Sequence, residues 1–355
     1  MIPDFSQFTL TTNATIFSVA AVAVWIGGVK VADYAGELAQ RFNLSHANLG
    51  LFLLAGITSL PEMATSFSAA GDSNAELAVN NLLGSITMQV ALLAVADLVF
   101  GKRALTSVVP DSLVILQGAL NIILLALVTV AITVGDMLLF GAGSWSWGLL
   151  GATVYCMFKL YESERLSKPW IVNPDDEVLA RQQRDKTEIA RYHREKSHGR
   201  LFVMLLVSAS VILMAGFTVA RVGEAIAEQS GLGQSFVGVA LVAIATSLPE
   251  ASTVFATMRR GFYTMAISDI LGTNILNIAL ISGVDLIDPG GPVLDRVGDF
   301  SVLAGALGIT VTGLFLMGVA ERSDRTIGRM GVDSFLVLAT YGAGLYLLFQ
   351  LRAAG

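Results

Sequence analysis

One cysteine, Cys156, and three histidines, His46, His193 and His198, are the only thiol and imidazole side chains among the 355 residues. No disulfide can form within the chain and no thiolate centre can be built, so Cys156 is expected to serve packing inside a span. Neither His-Glu-x-x-His nor Gly-x-Gly-Asp occurs, which argues against an intramembrane enzyme. Charge is scarce as well: Asp, Glu, Lys and Arg make up 14% of the chain against 54% hydrophobic residues. A mean hydropathy of +0.69 is far from that of a soluble domain of this length.

Apolar runs fill that gap. They lie near residues 14–40, 48–70, 75–100, 108–134, 136–160, 201–228, 235–258, 262–287, 299–320 and 332–351. Each is long enough to cross a hydrocarbon core of about 30 Å as a helix. Ten transmembrane helices are therefore expected. With the N-terminus outside, the connections after the odd-numbered spans are cytoplasmic, and 18 of the 22 Lys and Arg face that side, from Arg41 through the central loop to Arg329. Lys30 and Arg221 lie within spans, and only Arg296 and Arg352 fall outside. The expected organisation is a five-helix half over 1–161, a cytoplasmic loop over 162–199 and a second five-helix half over 200–355. The loop is dense in charge, from Asp175, Asp176 and Glu177 to the run Arg181–Lys196, and part of it is expected to form an amphipathic helix. It reads as a solvated tether rather than an ion sensor, because the spacing of an EF-hand loop is missing. Nothing basic precedes the first apolar run, so that span is expected to be retained rather than cleaved.

The two halves are copies. Thr58-Ser59-Leu60-Pro61-Glu62 returns as Thr246-Ser247-Leu248-Pro249-Glu250, an offset of 246 − 58 = 188. The offset holds without a gap from 50–93 to 238–281, where 15 of 44 positions are identical. Chance would give roughly a tenth to a seventh in sequence so dominated by Leu, Ala, Val and Gly. Five spans per copy place the second copy upside down, an inverted repeat of the kind that puts a binding site at the membrane midplane of secondary transporters.

A carboxylate at the centre of a membrane helix costs roughly 2.5–3.5 kcal/mol on insertion scales. Glu62 and Glu250 carry that cost twice in the same local sequence, and neither span supplies a basic partner. Pro61 and Pro249 lack an N–H and clash with the carbonyl four residues back, baring acceptors near Thr58 and Thr246. Thr58, Ser59 and Glu62 share one helix face, as do Thr246, Ser247 and Glu250. The next span of each half adds Asn81, Ser85 and Gln89, or Asp269, Thr273 and Asn277, each set spaced by four. Two carboxylates among carbonyls, hydroxyls and amides form an all-oxygen shell, the preference of hard cations and of Ca²⁺ in particular.

These repeats resemble the α-repeats of the calcium/cation antiporters, most closely the sodium/calcium exchanger branch. That family's pattern is Gly-Thr-Ser-x-Pro-Glu on one helix and Gly-Asn-x-x-Gly-Ser-Asn-x-x-Asn/Asp on the next. The resemblance spans the whole chain. It implies an antiporter that exports Ca²⁺ in exchange for Na⁺, with Glu62, Glu250 and the carbonyls of Thr58 and Thr246 holding Ca²⁺. Ser59, Ser247, Ser85 and Thr273, with the carbonyls of Ala55 and Ala243, would supply peripheral sodium ligands, and Gln89 and Asn277 the central amides. No prosthetic group is implied; the partners are transported cations and membrane lipid, with no nucleic acid, and a monomer is expected.

This sequence departs from the pattern at several places. Ile86 stands for the usual Asn, Gln89 is one methylene longer than Asn, Thr273 replaces Ser, and Asp269 stands where Asn is expected. Asn277 occupies a position where potassium-dependent relatives commonly carry Asp, which argues against potassium coupling. Asn81 and Asp269 both join the candidate ligand set. The extra charge of Asp269 would favour proton over sodium coupling, so a proton-coupled cation antiporter is the alternative, and an acidic-filter channel a third reading.

The remaining polar residues have plainer roles. A lone Ser or Thr in a membrane helix bonds to the carbonyl one turn back, the expectation for Ser112 and Thr129. Asp97 and Asp285 also stand 188 apart, near span ends, where capping or an interface is expected rather than transport. Trp145 and Trp147 are expected at the outer membrane interface, in an inner membrane of a prokaryote.

Overall fold

The computed structural model describes residues 5–42, 46–100, 104–107, 113–166, 198–229 and 242–351. The amphipathic helix expected within the central loop, the carboxylates Asp175 to Glu177 and Ser112 lie outside these residues. The fold is all-α: α1 Leu10–Phe42, α2 His46–Thr58, α3 Leu60–Gly71, α4 Ala75–Phe100, α5 Leu113–Val134 and α6 Ser144–Leu166 form the first repeat. The second contains α7 His198–Gln229, α8 Ala243–Thr246, α9 Leu248–Arg259, α10 Tyr263–Ile287, α11 Asp299–Glu321 and α12 Val332–Leu351.

By length and composition, α1, α4, α5, α7, α10, α11 and α12 can each cross a membrane, and α2 with α3 makes a broken eighth span bent by 43°. Two expected spans stand apart from these. α6 carries Lys159, Glu162, Glu164 and Arg165 toward its C-terminus, which lowers its apolar content. The span containing α8 and α9 begins outside the described residues.

The offset of 188 extends well beyond the segment where identities reveal it. The helices α8 and α9 begin and end at the positions of Ala55–Thr58 and α3 shifted by 188, and α10 begins at the shifted start of α4. The 3₁₀ turn Leu105–Ser107 maps onto Val293–Asp295 in the same way. So do two small antiparallel hairpins, β1 Leu138–Leu139 with β2 Ala142–Gly143 and β3 Thr326–Ile327 with β4 Met330–Gly331. The first hairpin corrects the expected start of the fifth span at 136: Phe140 and Gly141 both take positive φ, closing a turn before the helix begins at Ser144.

Packing obeys the same exchange of halves. α1 and α7 pack on each other; α1 also meets α9, and α7 meets α3. α4 and α10 cross at the centre, α4 reaching α9, α11 and α12, and α10 reaching α3, α5 and α6. In the apolar stretch of α4, 78% of residues are buried, against 28% in α1 and in α7. The core is therefore built on α4 and α10, while α1 and α7 form an outer pair with broad apolar surface, including Val19, Val22, Leu206 and Met214, left for lipid.

Two sets of polar contacts join the repeats. Asp97 accepts hydrogen bonds from Leu105 N at 2.8 Å and Gly331 N at 2.9 Å, and Asp285 accepts them from Val293 N at 2.9 Å and Gly143 N at 2.7 Å. Each aspartate thus ties the turn following its own helix to the hairpin of the other repeat, the interface role expected for both. The second set tethers the outer helices. Arg260, capping α9, pairs with Asp33 of α1; Arg221 of α7 pairs with Asp72, capping α3, at 3.7 Å, and with Glu224 at 3.0 Å, and donates to Ser68. Residues 33 and 221, like 72 and 260, are 188 apart, so the same two positions are paired in both repeats with their signs exchanged.

Trp145 Nε1 donates to Gly135 O and Trp147 Nε1 to Leu139 O, so both indoles brace the first hairpin. Thr129 donates to Ala126 O at 2.8 Å, the local bond expected of it. Cys156 is buried and free.

Candidate cation-binding site

Proline sets the local geometry. Pro61 and Pro249 stand in the first turn of α3 and α9, where a missing N–H is tolerated. Ser59 (φ −71°, ψ −6°) and Ser247 (φ −83°, ψ 8°) join the half-helices at the break. This exposes a fresh helix N-terminus inside the protein, and Glu62 and Glu250 lie in its first turn, where the helix dipole favours a negative charge. Upstream of the first break, Leu49–Leu54 is a π-helical stretch, a form frequent at functional sites and one that no local pattern in the sequence announces. It brings Gly50 so close to α10 that a Cβ there would meet Met265 O and Asp269 N.

Glu62, Glu250 and Asp269 are all fully buried. Glu62 and Glu250 act on each other electrostatically, and Asp269 acts on both. No ion pair found among the described residues includes any of the three. From α4, Gln89 Nε2 reaches Glu62 Oε1 and Ser247 Oγ, each at 3.4 Å, and Ser247 Oγ stands 3.5 Å from Glu62 Oε1. Ser85 and Thr246 hydroxyls are 3.3 Å apart, and Thr246 donates to Asn81 Oδ1 at 3.3 Å. Asn81 Nδ2 in turn donates to Ser66 Oγ at 3.0 Å. Thus α3 and α4 of one repeat meet the α8–α9 break of the other.

On the second repeat, Thr253 donates to Asp269 Oδ2 at 2.5 Å, and Thr58 lies beside both Glu250 and Asp269. Thr273 and Asn277 are buried on α10, and the Thr273 hydroxyl and both amide atoms of Asn277 have no hydrogen-bond partner. Ser59 Oγ donates to Ala55 O at 2.6 Å, and Thr246 reaches Ala243 O at 3.3 Å, so both of these carbonyls already accept local bonds. Every residue of the candidate set is buried. Sequence reasoning passed over Ser66 and Thr253. Thr253 had a signal: Thr65 and Thr253 are identical at the offset of 188 and stand three residues past each glutamate, on the same helix face.

What the cluster can do follows from its unmet oxygens. Glu62 Oε2, both carboxylate oxygens of Glu250, Asp269 Oδ1 and Gln89 Oε1 are buried with no hydrogen-bond donor. Buried charge without a partner costs several kcal/mol, and these acceptors are hard oxygens suited to Na⁺ or Ca²⁺. Among the described residues no three Asp, Glu, His or Cys side chains converge as a resident metal centre; the two glutamates approach from opposite repeats, with neutral donors between them.

A two-repeat helical membrane protein whose buried carboxylates meet at broken helices belongs to the class of cation-translocating proteins. The chain is a member of the sodium/calcium exchanger protein family, matched over residues 12–162 and 200–351, and is a cation antiporter. It is 26% identical over 343 residues to "Putative antiporter CaxA" of Alkalimonas amylolytica, covering 95% of this chain and 99% of that one. It is 26% identical over 279 residues to inner membrane protein YrbG of Escherichia coli K12, covering 76% and 81%. Its fold matches that of the sodium-calcium exchanger NCX_Mj soaked with Na⁺ and Sr²⁺, with a TM-score of 0.65 and 19% identity over 95% of this chain and 99% of that one.

Proposed function

We propose that this antiporter exchanges Ca²⁺ for Na⁺ across the inner membrane and exports Ca²⁺ from the cytoplasm. The observation that carries this reading is the set of donor-free buried oxygens on Glu62, Glu250 and Gln89, brought together from both repeats. Ca²⁺ neutralises two glutamates and takes six to eight oxygens, and Thr58, Thr246, Ser247 and Asn277 supply neutral donors around them. Ser59, Ser85 and Thr273, with the carbonyls of Ala55 and Ala243, serve Na⁺ at the periphery. Sodium and calcium therefore compete for the same carboxylates, and the site carries one load or the other. The outer pair α1 and α7 moves against the core to open the site to one side at a time, with both termini outside and residues 162–199 cytoplasmic. Exchange of three Na⁺ for one Ca²⁺ moves one net charge, worth about 2.3 kcal/mol per 100 mV.

Two relatives support the reading by name: the first is called an antiporter, and a sodium/calcium exchanger of Methanosarcina acetivorans, MaX1, is 33% identical over 84 residues, 24% of this chain. The test is ⁴⁵Ca²⁺ uptake into proteoliposomes loaded with Na⁺, beside vesicles that carry only a pH gradient. Uptake that requires internal Na⁺ is expected. The buried carboxylate of Asp269 favours a second reading, proton coupling, and uptake driven by pH alone would replace the first reading with the second.

A further inference from the structure

The two small hairpins share a register but not a surface. Two residues close each one, Phe140-Gly141 in the first repeat and Gly328-Arg329, 188 positions on, in the second. Phe140 (φ 50°), Gly141 (φ 87°) and Gly328 (φ 67°) all take the left-handed conformation. Two-residue hairpin turns favour it, but a bulky side chain adopts it only at a cost that glycine avoids. The first repeat therefore carries phenylalanine where the second carries the residue that the turn prefers. With 87% of its surface exposed, Phe140 gains little from packing within the protein to offset that strain.

The rest of the tip is apolar as well. Met137 is 75% exposed and Leu138 65%, and no charged side chain occurs between Asp136 and Lys159. Asp136 turns toward the base of the hairpin, where its Oδ1 accepts from Met137 N, Ser144 Oγ and Trp145 N. The indoles of Trp145 and Trp147 take up Gly135 O and Leu139 O, two backbone acceptors that would otherwise need water. Exposed Val130 and Val134, one turn apart at the end of α5, carry the apolar surface on toward the membrane span. The second hairpin exposes Arg325, Thr326, Gly328 and Arg329 instead, on the opposite face of the inverted repeat. We propose that residues 137–140 insert into the apolar side of the membrane interface, where lipid acyl chains cover the Phe140 ring. Transfer of that ring out of water then offsets the strain of the turn, and indoles are common anchors at this depth. Gly143 N donates to Asp285 and Ser282 donates to Ser146 O, so the anchor is tied to α10 of the core rather than to the outer pair. The insertion is independent of which cation is exchanged.

The test places nitroxide labels on the full-length chain in vesicles of phosphatidylethanolamine and phosphatidylglycerol. Leu138→Cys and Phe140→Cys are compared with their counterparts Thr326→Cys and Gly328→Cys, each together with Cys156→Ser so that one thiol is labelled. Collisions are measured with molecular oxygen, which concentrates among acyl chains, and with a water-soluble nickel chelate. The ratio of oxygen to nickel collisions is expected to be several-fold higher at both first-hairpin positions than at their counterparts. Leu138 lies on a strand with its side chain outward, so Leu138→Cys carries the test if Phe140→Cys fails to fold. A ratio no higher than at the counterparts would overturn the insertion. First-hairpin labels reached by neither reagent would overturn it too, since protein, a second copy of the chain included, would then cover the tip in place of lipid.

Discussion

The two repeats share a backbone plan but not a charge plan. Where a residue must accept backbone N–H groups, both copies carry the same side chain: Asp97 and Asp285 each bind one turn and one hairpin across the repeat boundary. Where only attraction is needed, the sign is free to change, as Asp33–Arg260 and Arg221–Asp72 show at equivalent positions. In the site the copies match at the glutamates and diverge around them, with Asn81 against Asp269 and Gln89 against Asn277. Duplication therefore fixes what geometry alone dictates, while charge is divided between the halves.

The equivalence of the two halves is tested most severely at the glutamates. Glu62→Gln and Glu250→Gln are each expected to abolish ⁴⁵Ca²⁺ flux in proteoliposomes, because each removes one of the two charges that Ca²⁺ needs; flux that persists in one variant would show that the halves contribute unequally. Next come the clamps. Asp97→Asn and Asp285→Asn each put an amide NH₂ where an acceptor stood, at about 1–3 kcal/mol. The midpoint of thermal unfolding in detergent is expected to fall by similar amounts in both variants. Unequal shifts would mean that the clamps differ in weight.

The smallest effects belong to the tethers, whose partly exposed ion pairs are worth about 0.2–1 kcal/mol. Asp33→Arg is expected to change the transport rate by no more than about fivefold, and the exchange Asp33→Arg with Arg260→Asp to restore it. Arg221→Asp with Asp72→Arg is the matching swap. Its effect is expected to be weaker, since Asp72 is largely exposed and sits 3.7 Å from Arg221. Failure of either swap to restore transport would show that the sign at that position matters after all.

Much of this was legible in the sequence. The doubled Thr-Ser-Leu-Pro-Glu, its offset and the spacing of polar residues on the following span point to the cluster that α3, α4, α9 and α10 bring together. The offset itself was plain where identities were dense; elsewhere the copies share helix ends and only scattered residues such as Asp97 and Asp285. Leu138, Leu139 and Phe140 read as the start of a span, since hydropathy cannot separate an apolar hairpin from a helix; the turn at Phe140-Gly141 separates them. The π-helical stretch had no signal, since the close approach of Gly50 to α10 that accompanies it is a tertiary contact that no local pattern encodes. The exchanged ion pairs escaped notice because the offset relates positions in the two copies, while each pair joins one copy to the other.

In the proposed exchange the two glutamates hold one ion between them. Equilibrium dialysis with ⁴⁵Ca²⁺ on the wild type, Glu62→Gln and Glu250→Gln tests this most directly. One Ca²⁺ per chain, lost in both variants, is the expected result. Two Ca²⁺ per chain, or binding that survives either single substitution undiminished, would contradict a shared site.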